Sequence, residues 1–149
     1  MDSEHQTTVD LKINQREKEG IRILDLQGRL VIGPPEALLR EVVLAIAKAG
    51  EVNAILNFAA THEVDEDGLE AIVLCSARLR ESGGALKLVN LSRAHMELIV
   101  RVGLDTVFEV FKDEQNAVDS FFPDRASHPF DLLKFVEDLK KHPLPKIWE

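Results

Sequence analysis

Thr61-His62-Glu63-Val64-Asp65-Glu66-Asp67-Gly68 is an acidic turn set between an apolar run, Val52 to Phe58, and a segment of apolar period, Leu69 to Leu79. The first flank has the length and continuity of a buried strand. The second places Leu69, Ile72, Val73, Ser76 and Ala77 on one face of a helix. Asp65 or Asp67 stands where a side chain can cap the first turn of that helix. A strand that runs into a helix presents backbone N–H groups at the junction, and α/β proteins place function there. Here three consecutive acids occupy the junction, and they would repel the anionic ligand that a helix end otherwise attracts.

The flanking chain repeats the pattern of strand and helix. Upstream, Val9, Leu11 and Ile13 alternate with polar residues as in a half-buried strand, Lys18-Glu19-Gly20 supplies a turn, and Ile21 to Leu26 reads as a more central strand, so the two predict a hairpin. Gly33-Pro34-Pro35 stops the chain and opens a helix carrying Leu38, Leu39, Val42, Val43 and Ile46, with Gly50 past its end. Downstream, Ser82-Gly83-Gly84 closes the helix after the acidic turn, and Ala85 to Val89 is a short buried strand. Ser92 caps a helix with Met96, Ile99 and Val102. Leu104 to Phe111 is expected as the last strand and Asp113 to Phe122 as the next helix, with Ala117, Val118 and Phe121 on one side. The result is an α/β chain: a mixed sheet of about five strands covered by about four helices. Pro123 to Pro129 reads as a linker, and Phe130 to Lys140 as an amphipathic helix with Leu132, Phe135, Val136 and Leu139 on one face, followed by Pro143-Leu144-Pro145 and the sole tryptophan, Trp148. Such a helix is marginal alone in water, so it is expected to dock on its own domain, on a dimer mate or on another partner.

Several features fall in a recognisable order: Gly28-x-Leu30, Asp65-x-x-Gly68, the Gly83-Gly84-Ala85 link into Leu86-Lys87-Leu88-Val89, Val102-Gly103-Leu104, and the downstream Phe108 and Ala117. Together they resemble the STAS domain, the module shared by anti-sigma factor antagonists and the cytoplasmic ends of sulfate transporters. The resemblance spans residues 9–122 as one domain and leaves 123–149 as a linker and C-terminal helical extension. In the antagonists the strand enters an Asp-Ser-Ser/Thr-Gly turn, and a partner kinase phosphorylates the serine after Asp. Matched by position, Asp65 stands for the Asp, Glu66 for the phosphoacceptor serine, Asp67 for the second hydroxyl residue and Gly68 for the glycine. Glutamate has no hydroxyl to accept a phosphoryl group, and its charge of roughly −1 falls short of the about −1.5 to −2 of phosphoserine. Val31 stands where the family commonly carries an acidic contact residue. The resemblance implies a protein partner, an anti-sigma factor or a related kinase, met through Glu63, Asp65, Glu66, Asp67, Gly68 and Leu69.

Composition narrows the remaining classes. The 149 residues suit one domain; 45% are hydrophobic and 30% charged, as in a globular chain, and 18 basic against 26 acidic residues give a net charge of −8. That balance, with no basic stripe, disfavours nucleic acid, and a single tryptophan without tyrosine offers no stacking platform. Cys75 is the sole cysteine, which fits a reducing cytoplasm and a small core residue rather than a nucleophile. No run reaches membrane-spanning length, and Met1 to Thr8 lacks the features of a signal peptide. Neither a dinucleotide fingerprint nor a Walker loop is present, and His62, His95 and His128 show no ligand spacing. The expectation is a non-enzymatic binding module with no cofactor and no catalytic or metal-binding residue. Two alternatives stand beside it: a constitutive scaffold subunit, which forms a homodimer or larger assembly through the C-terminal helix, and a small Mg²⁺-dependent hydrolase centred on Asp65 and Asp67.

Overall fold

A computed structural model of the chain describes residues 10–141. Val9 and the whole segment from His142, including Pro143, Leu144, Pro145 and Trp148, lie outside the described residues. Five strands form one sheet in the order β1-β2-β3-β4-β5, comprising β1 (Leu11–Lys18), β2 (Ile21–Leu30), β3 (Asn53–Val64), β4 (Ala85–Val89) and β5 (Glu109–Phe111). The first pair is the expected hairpin, with Leu11 opposite Gly28 and Lys18 opposite Ile21. Every later pair is parallel and is joined through a helix. The mixed α/β sheet read from the sequence is therefore the fold.

The sheet has two unequal faces because the strands alternate. Leu24, Leu26, Ala54, Leu56, Leu86, Leu88 and Val110 point into the main core. Against them pack α1 (Pro34–Lys48), α2 (Glu66–Glu81), α3 (Arg93–Arg101) and, through Leu132, α5 (Leu132–Lys141). On the opposite face Ile21, Ile23, Ile55, Val89 and Phe111 meet α4 (Glu114–Asp119) through Ala117 and Val118, with Phe121 and Phe122 beyond it also packed there. Toward the edge strand that face becomes polar. There the Arg16 guanidinium on β1 donates to Asp25 on β2 at 2.7 and 2.9 Å and to Glu114 on α4 at 2.6 and 3.2 Å. This fork holds the Asp25 carboxyl below its ordinary range and ties the edge strand to the helix. Lys87, buried under α4, is satisfied by the Ser120 hydroxyl at 2.8 Å and by Glu109 at 3.1 Å, with the Phe121 ring 4.3 Å away.

Four boundaries differ from the sequence reading. The strand read as Ile21 to Leu26 runs on through Gly28-Arg29-Leu30, and Gly28 is required because a Cβ there would lie 2.2 Å from the Asp10 carbonyl of the incoming chain. The strand expected to end at Phe58 continues through Val64. The expected strand from Leu104 shrinks to Glu109–Phe111, since Gly103 at φ 79 reverses the chain and Val107 N–H folds back onto the Leu104 carbonyl at 3.0 Å. The last helix of the repeat likewise contracts to Glu114–Asp119, capped by Asp113. The C-terminal helix packs on α3 with Leu132 and Val136 buried, and Phe130 N–H donates to the Val110 carbonyl at 2.7 Å.

Candidate functional site

The acidic turn owes its position to unequal strand lengths. β4 pairs with β3 only over Asn53–Asn57, whereas β2 follows β3 out to Leu30 opposite Val64. The ends of β2 and β3 therefore project as a two-stranded arm beyond the parallel sheet. Two register shifts bend that arm, and the buried Thr61 hydroxyl donates to the Leu26 carbonyl at 2.8 Å. Thr61, His62 and Glu63 thus belong to a strand, and the true turn is Asp65 alone.

Asp65 joins three elements. One carboxylate oxygen accepts from Gly68 N–H at 2.7 Å, capping α2, and the other accepts from Ile32 N–H at 3.0 Å in the loop after β2. Its own N–H donates to the Leu30 carbonyl at 3.3 Å. Gly68 is buried against the same carbonyl: a Cβ would lie 2.2 Å from it, so a side chain would push α2 off the arm. Leu69 is 2% exposed and belongs to the core. Two residues expected in the contact surface, Gly68 and Leu69, are therefore set beneath it, because the helix needs its first turn close to β2. Asp65 is half-buried with both oxygens engaged.

The remaining acids face outward. Glu63 pairs with Arg29 at 2.9 Å, and Arg29 also holds Asp10 at 2.9 Å. Glu66 and Asp67, the first two residues of α2, are exposed and make no side-chain hydrogen bond among the described residues. Glu66 stands on a ridge between two clefts. One, of about 490 Å³, lies toward α3 and is lined by His62, Glu63, His95, Glu97 and Arg101. The other, of about 390 Å³, is lined by Asp67, Glu70, Val73, Val102 and Leu104. Beside the turn Ile32 is 63% exposed, its backbone fixed by Asp65. The sequence reading missed Ile32 and Arg29, for no local pattern marks them; the pairing of β2 with β3 brings them to the turn.

His95 closes the α3 side. Its Nδ1 accepts from Ser92 N–H at 3.1 Å while its own N–H donates to the Ser92 hydroxyl at 3.1 Å, a reciprocal cap in which histidine takes the usual place of glutamate or glutamine. Nδ1 being the acceptor, Nε2 carries the proton of the neutral ring. That atom is buried with no partner at hydrogen-bond geometry among the described residues. Burial pushes the ring's titration below the ordinary histidine range, opposed by the nearby His62 backbone. The Phe58 ring lies 5.9 Å away.

The buried Cys75 thiol is pushed up to about 12 by desolvation, which leaves it protonated and unreactive at neutral pH. Among the described residues no three His, Cys, Asp or Glu side chains converge as a metal-ligand set, and no helix is long and apolar enough to cross a membrane. A family model for the STAS domain matches residues 12–117. The chain belongs to the STAS domain family. No curated protein matches it in sequence. Solved structures carry the fold further than sequence does. An anti-sigma factor antagonist from Mycobacterium paratuberculosis superposes with a TM-score of 0.64 at 17% identity, over 74% of this chain and 92% of that one. Thermotoga maritima tm1081 gives 0.65 at 18%, over 72% and 92%. The phosphorylated form of Bacillus SpoIIAA gives 0.58 at 18%, over 74% and 99%. This STAS chain extends past the family match with α5, whose apolar face is spent on α3.

Proposed function

We propose that this STAS chain is a non-enzymatic, cytoplasmic protein-binding module of bacterial signalling, whose partner is an anti-sigma factor or related kinase. The single observation that supports this is the placement of Glu66: first residue of α2, exposed between two clefts, on a backbone that Asp65 and Gly68 fix from below. At the position where STAS antagonists carry a phosphoacceptor serine, a carboxylate is built in. The surface offered to a partner is then Glu63, Glu66 and Asp67, with Ile32 as an apolar neighbour, while Asp65, Gly68 and Leu69 hold it in shape. Binding is competitive, guided by charge complementarity, and no bond is made or broken by this chain. With no hydroxyl at Glu66 or Asp67 the turn does not respond to the kinase.

Charge reversal tests the surface. Glu66→Lys is expected to weaken an electrostatically guided partner about tenfold or more. Its folding cost is limited to the loss of a favourable charge at a helix N-terminus, about 0.3–1 kcal/mol. Titration calorimetry against the anti-sigma factor, paired with thermal melts of both proteins, reads the two quantities separately. Unchanged affinity overturns the surface assignment. The scaffold alternative is less well supported, since α5 uses Leu132 and Val136 within its own chain and leaves Leu133 outside. The hydrolase alternative finds no ligand set among the described residues, and Asp65 is committed to two backbone N–H groups.

A further inference from the structure

At the carboxyl ends of the last two parallel strands lies a half-open cavity of about 300 Å³. Val110 and Phe111 of β5 form its floor, and Leu91 and Met96 form the wall that leads into α3. The opposite wall is Phe130 and Phe135, whose rings stand 5.5 Å apart, with Phe130 pinned to β5 through the Val110 carbonyl. Those aromatic residues lie beyond the family match, which ends at residue 117, so the enclosure is a property of this chain's extension. Two of its lining residues carry polar side chains, Asn90 and the exposed Lys112. Asn90 adopts a left-handed backbone, φ 62, and its amide donates to Asn57 at 2.8 Å.

An apolar chamber of this size, outside the carboxyl ends of parallel strands and with few polar groups, has the form of a small-molecule site. Its rim sets the charge of the occupant. Lys112 is exposed and makes no ion pair among the described residues. The neighbouring carboxylates are turned away: Asp113 accepts from Asn116 N–H at 2.8 Å and Asp131 from Lys134 N–H at 3.0 Å. The N-termini of α3 and α4 beside the cavity are closed by Ser92 and Asp113, so no cradle of free N–H groups awaits a phosphate. One cation above an apolar chamber suits one negative charge on an apolar body. We propose that this cavity binds a small amphipathic monocarboxylate, its alkyl or aryl body among Leu91, Met96, Phe130 and Phe135 and its carboxylate on Lys112.

Octanoate and octan-1-ol are the probes, titrated into the full-length protein while backbone amide resonances are followed by NMR. Octanoate is expected to shift the amides of Leu91, Met96, Val110 and Phe130. Lys112→Ala, an exposed change, is expected to weaken octanoate about tenfold and to leave octan-1-ol unaffected. Met96→Trp fills the chamber and is expected to abolish both. No perturbation at the cavity by millimolar octanoate overturns the proposal, and so does equal octanoate affinity in Lys112→Ala.

Discussion

Asp65 and Glu66 are adjacent acids with opposite duties. Asp65 spends both oxygens on backbone N–H groups of Gly68 and Ile32, so its charge is used inside the protein. Glu66 spends none among the described residues and faces outward. Substitution separates the two. Asp65→Ala is expected to cost about 1–2 kcal/mol, because a helix cap and a charge-assisted bond to the loop after β2 are lost together. It is also expected to blur the partner surface by freeing Ile32. Denaturant unfolding of Asp65→Ala beside Glu66→Ala checks this, with the glutamate variant near wild type. The cap was legible in the sequence, as Asp followed three residues later by a helix-opening Gly is a short-range pattern. The burial of Gly68 was not, because the Leu30 carbonyl that excludes a Cβ comes from a strand far away in the chain.

Two helices make their own tests. The cap of α3 depends on a neutral His95, since a proton on Nδ1 would face the donating Ser92 N–H. The native ring titrates below the ordinary value of 6.5, so beneath that pH the unfolded chain binds more protons than the folded one. Stability is therefore full above about 6.5 and declines as pH falls from there through the lower native value. His95→Gln keeps an acceptor for Ser92 without titrating, and melts across this range are expected to show a flatter acid slope for that variant. Helix α5 supplies the other test. Leu132 enters the main core and Phe130 N–H satisfies the Val110 carbonyl at the sheet edge, so the extension is joined to the domain. Leu132→Ala is expected to cost about 2–4 kcal/mol, read from denaturant unfolding, whereas the exposed Leu133→Ala should be near neutral. The amphipathic period of α5 was visible in the sequence, but the face that receives it was not.

Across the whole molecule, local period and turn chemistry gave away the order of strands and helices: each βα unit is built from neighbours in sequence. The projecting arm stayed hidden because Thr61-His62-Glu63 is polar enough to read as a turn. It is a strand only because Gly28 to Leu30 pairs with it. That nonlocal pairing lifts Glu66 clear of the sheet and brings Arg29 and Ile32 to its side, so the site is made by topology as much as by its acidic motif. Under the proposed function, the carboxylate at this place makes binding independent of phosphorylation, a property that one exchange is expected to reverse. The decisive measurement is affinity for the anti-sigma factor kinase, with and without prior incubation with ATP, for the wild type and for Glu66→Ser. The wild type is expected to remain unlabelled and equally tightly bound in both conditions, whereas Glu66→Ser should take up phosphate and bind with an affinity that differs before and after ATP treatment. Phosphate on the turn of the wild type, or an affinity that falls after ATP treatment, would contradict it.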